Sequence, residues 1–261
     1  MGEVTKYPHG TFSWIDIITT DPEAGKAFYS QLFGWTYEDL PAGEGAVYTM
    51  FRKNGLDVAA LSGMPPGQEQ MPPHWNSYVT VDNVDEAAAK ASNLGGNVVM
   101  PPFDVLEAGR MAVVQDPTGA FFMLWQAKNH IGARLVNEPG SLVWNELWTH
   151  DVDKAAQFYS GLFGWEVRKS TEPEYIMFAN GERMAAGLLQ IQPDWGNVPP
   201  HWSIYIAVDD CDAVAAKAVE LGGKMINPPS DIPGTGRFAL LQDPQGAMFN
   251  IIRMEQVDEA P

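Results

Sequence analysis

Three observations predict an α+β chain built from two homologous halves, each reading β-α-β-β-β twice. The first is internal repetition. Residues 10–35 match residues 140–165 at 11 of 26 positions, at an offset of 130. Residues 72–123 match residues 199–250 at 27 of 52 positions, at an offset of 127. The second is a strand-like alternation followed at once by helix-start chemistry, four times over. The third is the turn Asp116-Pro117-Thr118-Gly119, repeated as Asp243-Pro244-Gln245-Gly246, before an apolar strand.

The elements follow in order. Thr11–Thr19 alternates, with bulky residues at Phe12, Trp14 and Ile18. Asp21 is an N-cap and Pro22 sits at the first helical position; Gly34 stops the helix. Ala24, Ala27, Phe28, Gln31 and Leu32 are expected on its inward face. Strands follow near Trp35–Asp39, Ala46–Arg52 and Asp57–Ser62, then a Pro/Gly-rich connection. The second module has a strand at Trp75–Asp82 and a helix at Val84–Leu94 ended by Gly95-Gly96. Its strands lie near Asn97–Met100, Met111–Gln115 and Ala120–Gln126. The expected divisions are a first domain over 1–127, a linker over 128–139, a second domain over 140–255 and an acidic tail over 256–261.

Composition narrows the function. Lys plus Arg is 16 against 33 for Asp plus Glu, a net charge of −17, and no basic patch interrupts the acidity. Nucleic acid and anionic membranes are therefore excluded as expected partners. No run of apolar residues reaches the length of a membrane span, and no basic and apolar leader opens the chain, so a cytoplasmic location is expected. The single cysteine, Cys211, forbids an intrachain disulfide and reads as a small buried residue. Dinucleotide fingerprints, P-loops and nucleophile elbows are absent.

The motifs Asp21…Phe28-Tyr29…Leu32-Phe33-Gly34-Trp35, Val81-Asp82…Gly95-Gly96 and Asp116-Pro117-Thr118-Gly119 recur in the second half. In order and spacing they resemble the vicinal oxygen chelate superfamily of glyoxalase I, extradiol dioxygenases and bleomycin-resistance proteins. The duplicated pattern is similar to an actinobacterial group described as culture-filtrate antigens, glyoxalase-like proteins or hydroxylases. The resemblance implies two tandem glyoxalase-like domains, each an eight-stranded incomplete barrel around a ligand cleft, packed with pseudo-twofold pairing. It also implies four metal-ligand positions per cleft. Three fall on Trp14, Asn76 and Met123 in one half and on Trp144, Ser203 and Asn250 in the other; the fourth falls near Ala59-Ala60 or Ala185-Ala186. A dication wants carboxylate or imidazole ligands, so neither a metal nor another cofactor is expected.

Strand parity places Trp14, Asp16 and Ile18 on the first cleft face with Asn76, Tyr78, Thr80, Met123 and Trp125. The second face carries Trp144, Glu146, Trp148, Ser203, Tyr205, Asn250 and Ile252. Aromatic walls with a few polar groups fit a planar or aromatic small molecule bound without metal. The second cleft is expected to bind better, because Trp148 replaces Ile18 and Asn250 replaces Met123. Asp16 and Glu146, equivalent carboxylates beside tryptophan, are candidate general bases for an alternative reading as a lyase, isomerase or oxygenase. Their bland alternative is pairing with Arg110 or Arg237. His74 and His201 are read as caps of strand entries, and His9 and His130 as solvated. An atypical metal site would combine His150, Glu146 and His201.

Overall fold

The computed structural model describes residues 2–43, 45–68, 70–169, 175–256 and 261. In the first half β1 (Thr11–Thr19), α1 (Pro22–Phe33), β2 (Thr36–Pro41), β3 (Val47–Lys53) and β4 (Leu56–Gly63) form one module. The next is β5 (His74–Thr80), α2 (Val84–Asn93), β6 (Asn97–Val105), β7 (Gly109–Gln115) and β8 (Phe121–Ala127). The second half repeats both as β9 (Leu142–Thr149), α3 (Val152–Phe163), β10 (Glu166–Lys169), β11 (Ile176–Asn180) and β12 (Arg183–Gln190), then β13 (His201–Ala207), α4 (Cys211–Glu220), β14 (Lys224–Ile232), β15 (Gly236–Gln242) and β16 (Met248–Met254). A short 3-10 turn, Pro193–Trp195, precedes β13.

Each half makes one open eight-stranded sheet, ordered β2-β3-β4-β1-β5-β8-β7-β6 and β10-β11-β12-β9-β13-β16-β15-β14. The central antiparallel pair β1–β5, or β9–β13, joins its two modules. The parallel neighbours β4 and β8, or β12 and β16, flank that pair. β6 runs through Pro101 and Pro102 to Val105, longer than its apolar run suggests. Two register shifts against β7 and its place at the sheet edge accommodate prolines that cannot donate to a ladder.

The helix starts are built as their sequences require. Asp21 accepts from the Ala24 amide, Pro22 opens α1, and Gly34 closes it with φ 70°. Its inward face is turned by about one residue from the expected one: Gly25, Phe28, Tyr29, Leu32 and Phe33 are buried, while Ala27 and Gln31 are exposed. Gly25 lacks an apolar signal, yet a Cβ there would come 2.7 Å from Leu61 Cδ1, so absence of a side chain is what packs the helix onto β4.

Each of the two large cores is shared between the halves. One joins α1, Trp35 and Phe51 to Ile204, Ala215, Ala218 and Phe249 of the second half. The other joins Val79, Ala87, Ala91 and Phe122 to Phe158, Tyr159, Trp165 and Phe178. The recurrent motifs meet at these seams. One Asp116 oxygen accepts the turn amides of Thr118, Gly119 and Ala120, and the other accepts the Tyr159 hydroxyl at 2.9 Å. Asp243 does the same for its own turn and for Tyr29, at 2.8 Å. Trp35 Nε1 donates to the Gly140 carbonyl and Trp165 Nε1 to the Gly10 carbonyl. The pairing of halves is thus reciprocal, and the shared motifs serve it. The opposite face of each sheet is left to form a cleft.

Candidate functional site

The two clefts carry the same carboxylate-centred network. In the first, Asp16 is 4% exposed and, among the described residues, in no ion pair. Its Oδ1 accepts from Asn76 Nδ2 at 2.8 Å, and its Oδ2 from the Tyr78 and Tyr48 hydroxyls at 2.7 and 3.0 Å. Trp14 Nε1 donates in turn to the Tyr48 oxygen at 2.9 Å. In the second, Glu146 is 5% exposed. Its Oε1 accepts from Trp148 Nε1 at 2.7 Å and from the Tyr205 hydroxyl at 2.9 Å. Its Oε2 accepts from the Tyr175 hydroxyl, which receives Trp144 Nε1 at 3.2 Å. Burial pushes both carboxylates above their ordinary range, and the donated hydrogen bonds pull back. The four phenols are pushed well above 10 by burial and by the adjacent carboxylate, so they stay protonated donors.

The arginines expected as alternative partners lie elsewhere. Arg110 forks onto Asp85 and approaches Asp104, and Arg237 pairs with Asp212 and Asp231. Tyr48 and Tyr175 escaped the sequence reading. Their common offset of 127 was the available signal. Gly187 escaped it too. It pairs with Glu146 across β12–β9, where the first half pairs Ala60 with Asp16. A Cβ at Gly187 would overlap the Tyr175 hydroxyl. The longer carboxylate pushes its phenol toward the backbone, and glycine makes the room.

What differs most is occupancy. The first cleft is filled by the chain itself. Trp14, Met50, Ala60, Tyr78, Met123 and Trp125 form one buried cluster with Val4, Tyr7, Ala133 and Val136. The connecting segment is tied in by Ala133 N to Ser13 O and Arg134 N to Asp57 O, each at 2.7 Å, and by Tyr7 Oη to Ala133 O at 2.6 Å. Gly132 sits at φ 108°, so close to the Ser13 carbonyl that a Cβ would overlap it. His130, expected in solvent, stands edge-on to Trp14 with ring centroids 4.6 Å apart, and its carbonyl receives Trp125 Nε1 at 2.9 Å. Its Nε2 is buried without a hydrogen bond, and burial holds its pKa below the usual histidine value.

The second cleft has no equivalent buried apolar cluster among the described residues. Trp144, Trp148, Tyr175 and Phe238 are only half-buried. Trp148 packs against Trp195 at 5.1 Å and His201 at 5.3 Å. Ser203 and Asn250 lie at the floor. Asn250 Nδ2 donates to Ser203 Oγ at 2.7 Å and to the Ile204 carbonyl at 3.1 Å, while its Oδ1 has no donor.

A dication does not fit either set of implied ligand positions. Trp14, Asn76 and Met123, and Trp144, Ser203 and Asn250, offer indoles, amides, a hydroxyl and a thioether, with no carboxylate or imidazole. His150, Glu146 and His201 do not form the alternative set. His150 is exposed and bonded to the Val198 carbonyl, and His201 Nδ1 to that of Pro199. Among the described residues no three His, Cys, Asp or Glu side chains are grouped to hold a metal. His74 Nδ1 likewise meets the Pro72 carbonyl at its strand entry.

Comparison with known proteins agrees with the repeated fold. The profile of the Glyoxalase/Bleomycin resistance protein/Dioxygenase superfamily matches residues 11–124 and 136–251. The provisionally named glyoxylase CFP32 of Mycobacterium tuberculosis is 48% identical over 97% of this chain and 98% of its own length. The anthracycline biosynthesis protein DnrV of Streptomyces peucetius is 36% identical over 97% and 96%. Among solved structures, the Mn(II)-bound glyoxalase of Novosphingobium aromaticivorans superposes with a TM-score of 0.68 at 17% identity, over 96% of this chain and 84% of that one. An extradiol ring-cleaving dioxygenase from B. fuscum gives 0.68 at 16%, over 100% and 76%. At such identities these two structures speak for the fold alone.

Proposed function

The chain belongs to the Glyoxalase/Bleomycin resistance protein/Dioxygenase superfamily, and within it we propose a protein that binds a flat, aromatic small molecule in its second cleft without a metal. The observation that carries this reading is the contrast in occupancy: the first cleft is packed by residues 4–7 and 130–136, whereas Trp144, Trp148 and Tyr175 keep half-buried faces. Half-buried rings over hydrogen-bonding groups are the profile of a small-molecule site. The name of DnrV, from anthracycline biosynthesis, supports a polycyclic ligand. The metal-free part rests on the side chains at the implied ligand positions.

The catalytic alternative, with Glu146 or Asp16 as base, is weaker. Both oxygens of each carboxylate already accept hydrogen bonds, so a substrate proton would have to compete with donors in place, even though burial raises the proton affinity of both groups. Titration of a flat polycyclic probe followed by tryptophan fluorescence tests the binding reading. Trp144→Ala is expected to weaken binding at least about tenfold, as loss of stacking and burial requires, and Trp14→Ala, measured below its melting range, to weaken it little. Equal losses, or a larger loss at Trp14, would reject the assignment to the second cleft.

A further inference from the structure

We propose, on the premise that the second cleft takes a flat ligand, that this ligand is a cation: a protonated or quaternary amine joined to a planar aromatic framework, its charge placed against Glu146. The carboxylate is 5% exposed, and all three of its donors, Trp148 Nε1, the Tyr205 hydroxyl and the Tyr175 hydroxyl, are neutral. Among the described residues no ion pair reaches it, and Arg237 is committed to Asp212 and Asp231. The polarity of the network favours the ionised form. Indole N–H groups can only donate, so the chain from Trp144 through Tyr175 runs toward Glu146 and ends there as an acceptor. The hydrogen bonds donated to the carboxyl favour its charged form, while burial opposes it.

A neutral ligand covering the cleft would bury an ionised Glu146 further with no opposite charge beside it, which is costly. A cation would offset that cost, and the rings around Glu146 suit it. Trp144, Trp148, Tyr205 and Phe238 present π faces or edges within the same cleft, and a cation over such faces is attracted by the ring quadrupole. The net charge of −17 adds a long-range field that draws cations and repels anions.

The test uses two probes of one shape, N-methylquinolinium, whose charge is fixed, and neutral 1-methylnaphthalene. Both are titrated into the full chain at moderate salt and followed by tryptophan fluorescence. The cation is expected to bind about tenfold more tightly than its isostere. Glu146→Gln should abolish that preference, whereas Asp153→Asn, an equal charge change on the exposed side of α3, should leave it intact. Should Glu146→Gln fail to fold, the wild-type ratio still decides. Equal or tighter binding of the neutral probe, lost in Trp144→Ala, would overturn the charge assignment and leave a flat-ligand site. A preference that Asp153→Asn reduces as much as Glu146→Gln would reduce it to the general field. Binding of neither probe would overturn both readings.

Discussion

The two clefts share strand order, a central carboxylate and a pair of phenols, yet one is packed as a core and the other keeps half-buried rings. Trp14 is 2% exposed beneath the connecting segment, while its counterpart Trp144 is half-buried. Several of the changes between the halves lie on the cleft face. Asp16 with Ala60 becomes Glu146 with Gly187, Ile18 becomes Trp148, and Met123 becomes Asn250. The seams between the halves are nearly interchangeable, because each uses a tyrosine on the other half's turn aspartate. Duplication here preserved the residues that hold the halves together and released those that face inward from the barrels.

The largest expected effect that would break this comparison is on stability. Trp14→Ala removes a buried ring from the cluster under the segment and should cost about 3–5 kcal/mol. Trp144→Ala, at a half-exposed ring, should cost roughly half as much or less. Denaturant unfolding of both variants measures the difference, and equal costs would mean that the second cleft is as much a core as the first.

Next in size is the glycine that makes room for Tyr175. Gly187→Ala should displace the phenol from Glu146 and cost about 1–3 kcal/mol, the range for stranding a buried hydrogen-bonding group. The reverse change in the first half, Ala60→Gly, should cost only about 0.5–1 kcal/mol, the price of backbone freedom. Denaturant curves for this pair would show whether the longer carboxylate and the missing Cβ are coupled as the structure implies.

The smallest effect is one of pH. Burial lowers the folded-state pKa of His130 below its ordinary 6.5, so the unfolded chain takes up the proton first on acidification. The stability due to the neutral buried ring is therefore full above about 6.5 and falls as pH drops through that value toward the lower folded one. His130→Leu should flatten the decline in melting temperature between pH 7 and 5 by a few degrees. His201, pushed the same way by burial, leaves a residual slope. An unchanged decline in the variant would place the imidazole in solvent.

Elements whose signals are local were legible in the sequence. Asp21, Pro22 and Gly34 bound α1 through cap chemistry within a few residues, and the Asp116 turn is closed by its own amides. Strand parity puts Trp14 with Asp16, and Trp144 with Glu146, on one face of their strands because a period of two leaves no choice. The phase of α1 was misread by about one residue because Gly25, which packs by lacking a side chain, carries no hydrophobic signal. The burial of His130–Val136 was illegible for another reason. That segment has no periodicity, and its partners, Ser13, Trp14 and Asp57, lie more than seventy residues away in the chain. The phenols on the carboxylates were recoverable, since Tyr48 and Tyr175 stand 127 residues apart, the offset at which residues 72–123 repeat.

The nine tryptophans supply the most direct test. Two-dimensional spectra of the indole N–H groups, assigned by single Trp→Phe variants, would be recorded during titration with the flat cation N-methylquinolinium. The expected result is that the Trp144 and Trp148 resonances move together with one dissociation constant while those of Trp14 and Trp125 stay in place. Movement of Trp14 and Trp125, alone or alongside the other pair, would contradict the assignment of the first cleft as filled and the second as the binding site.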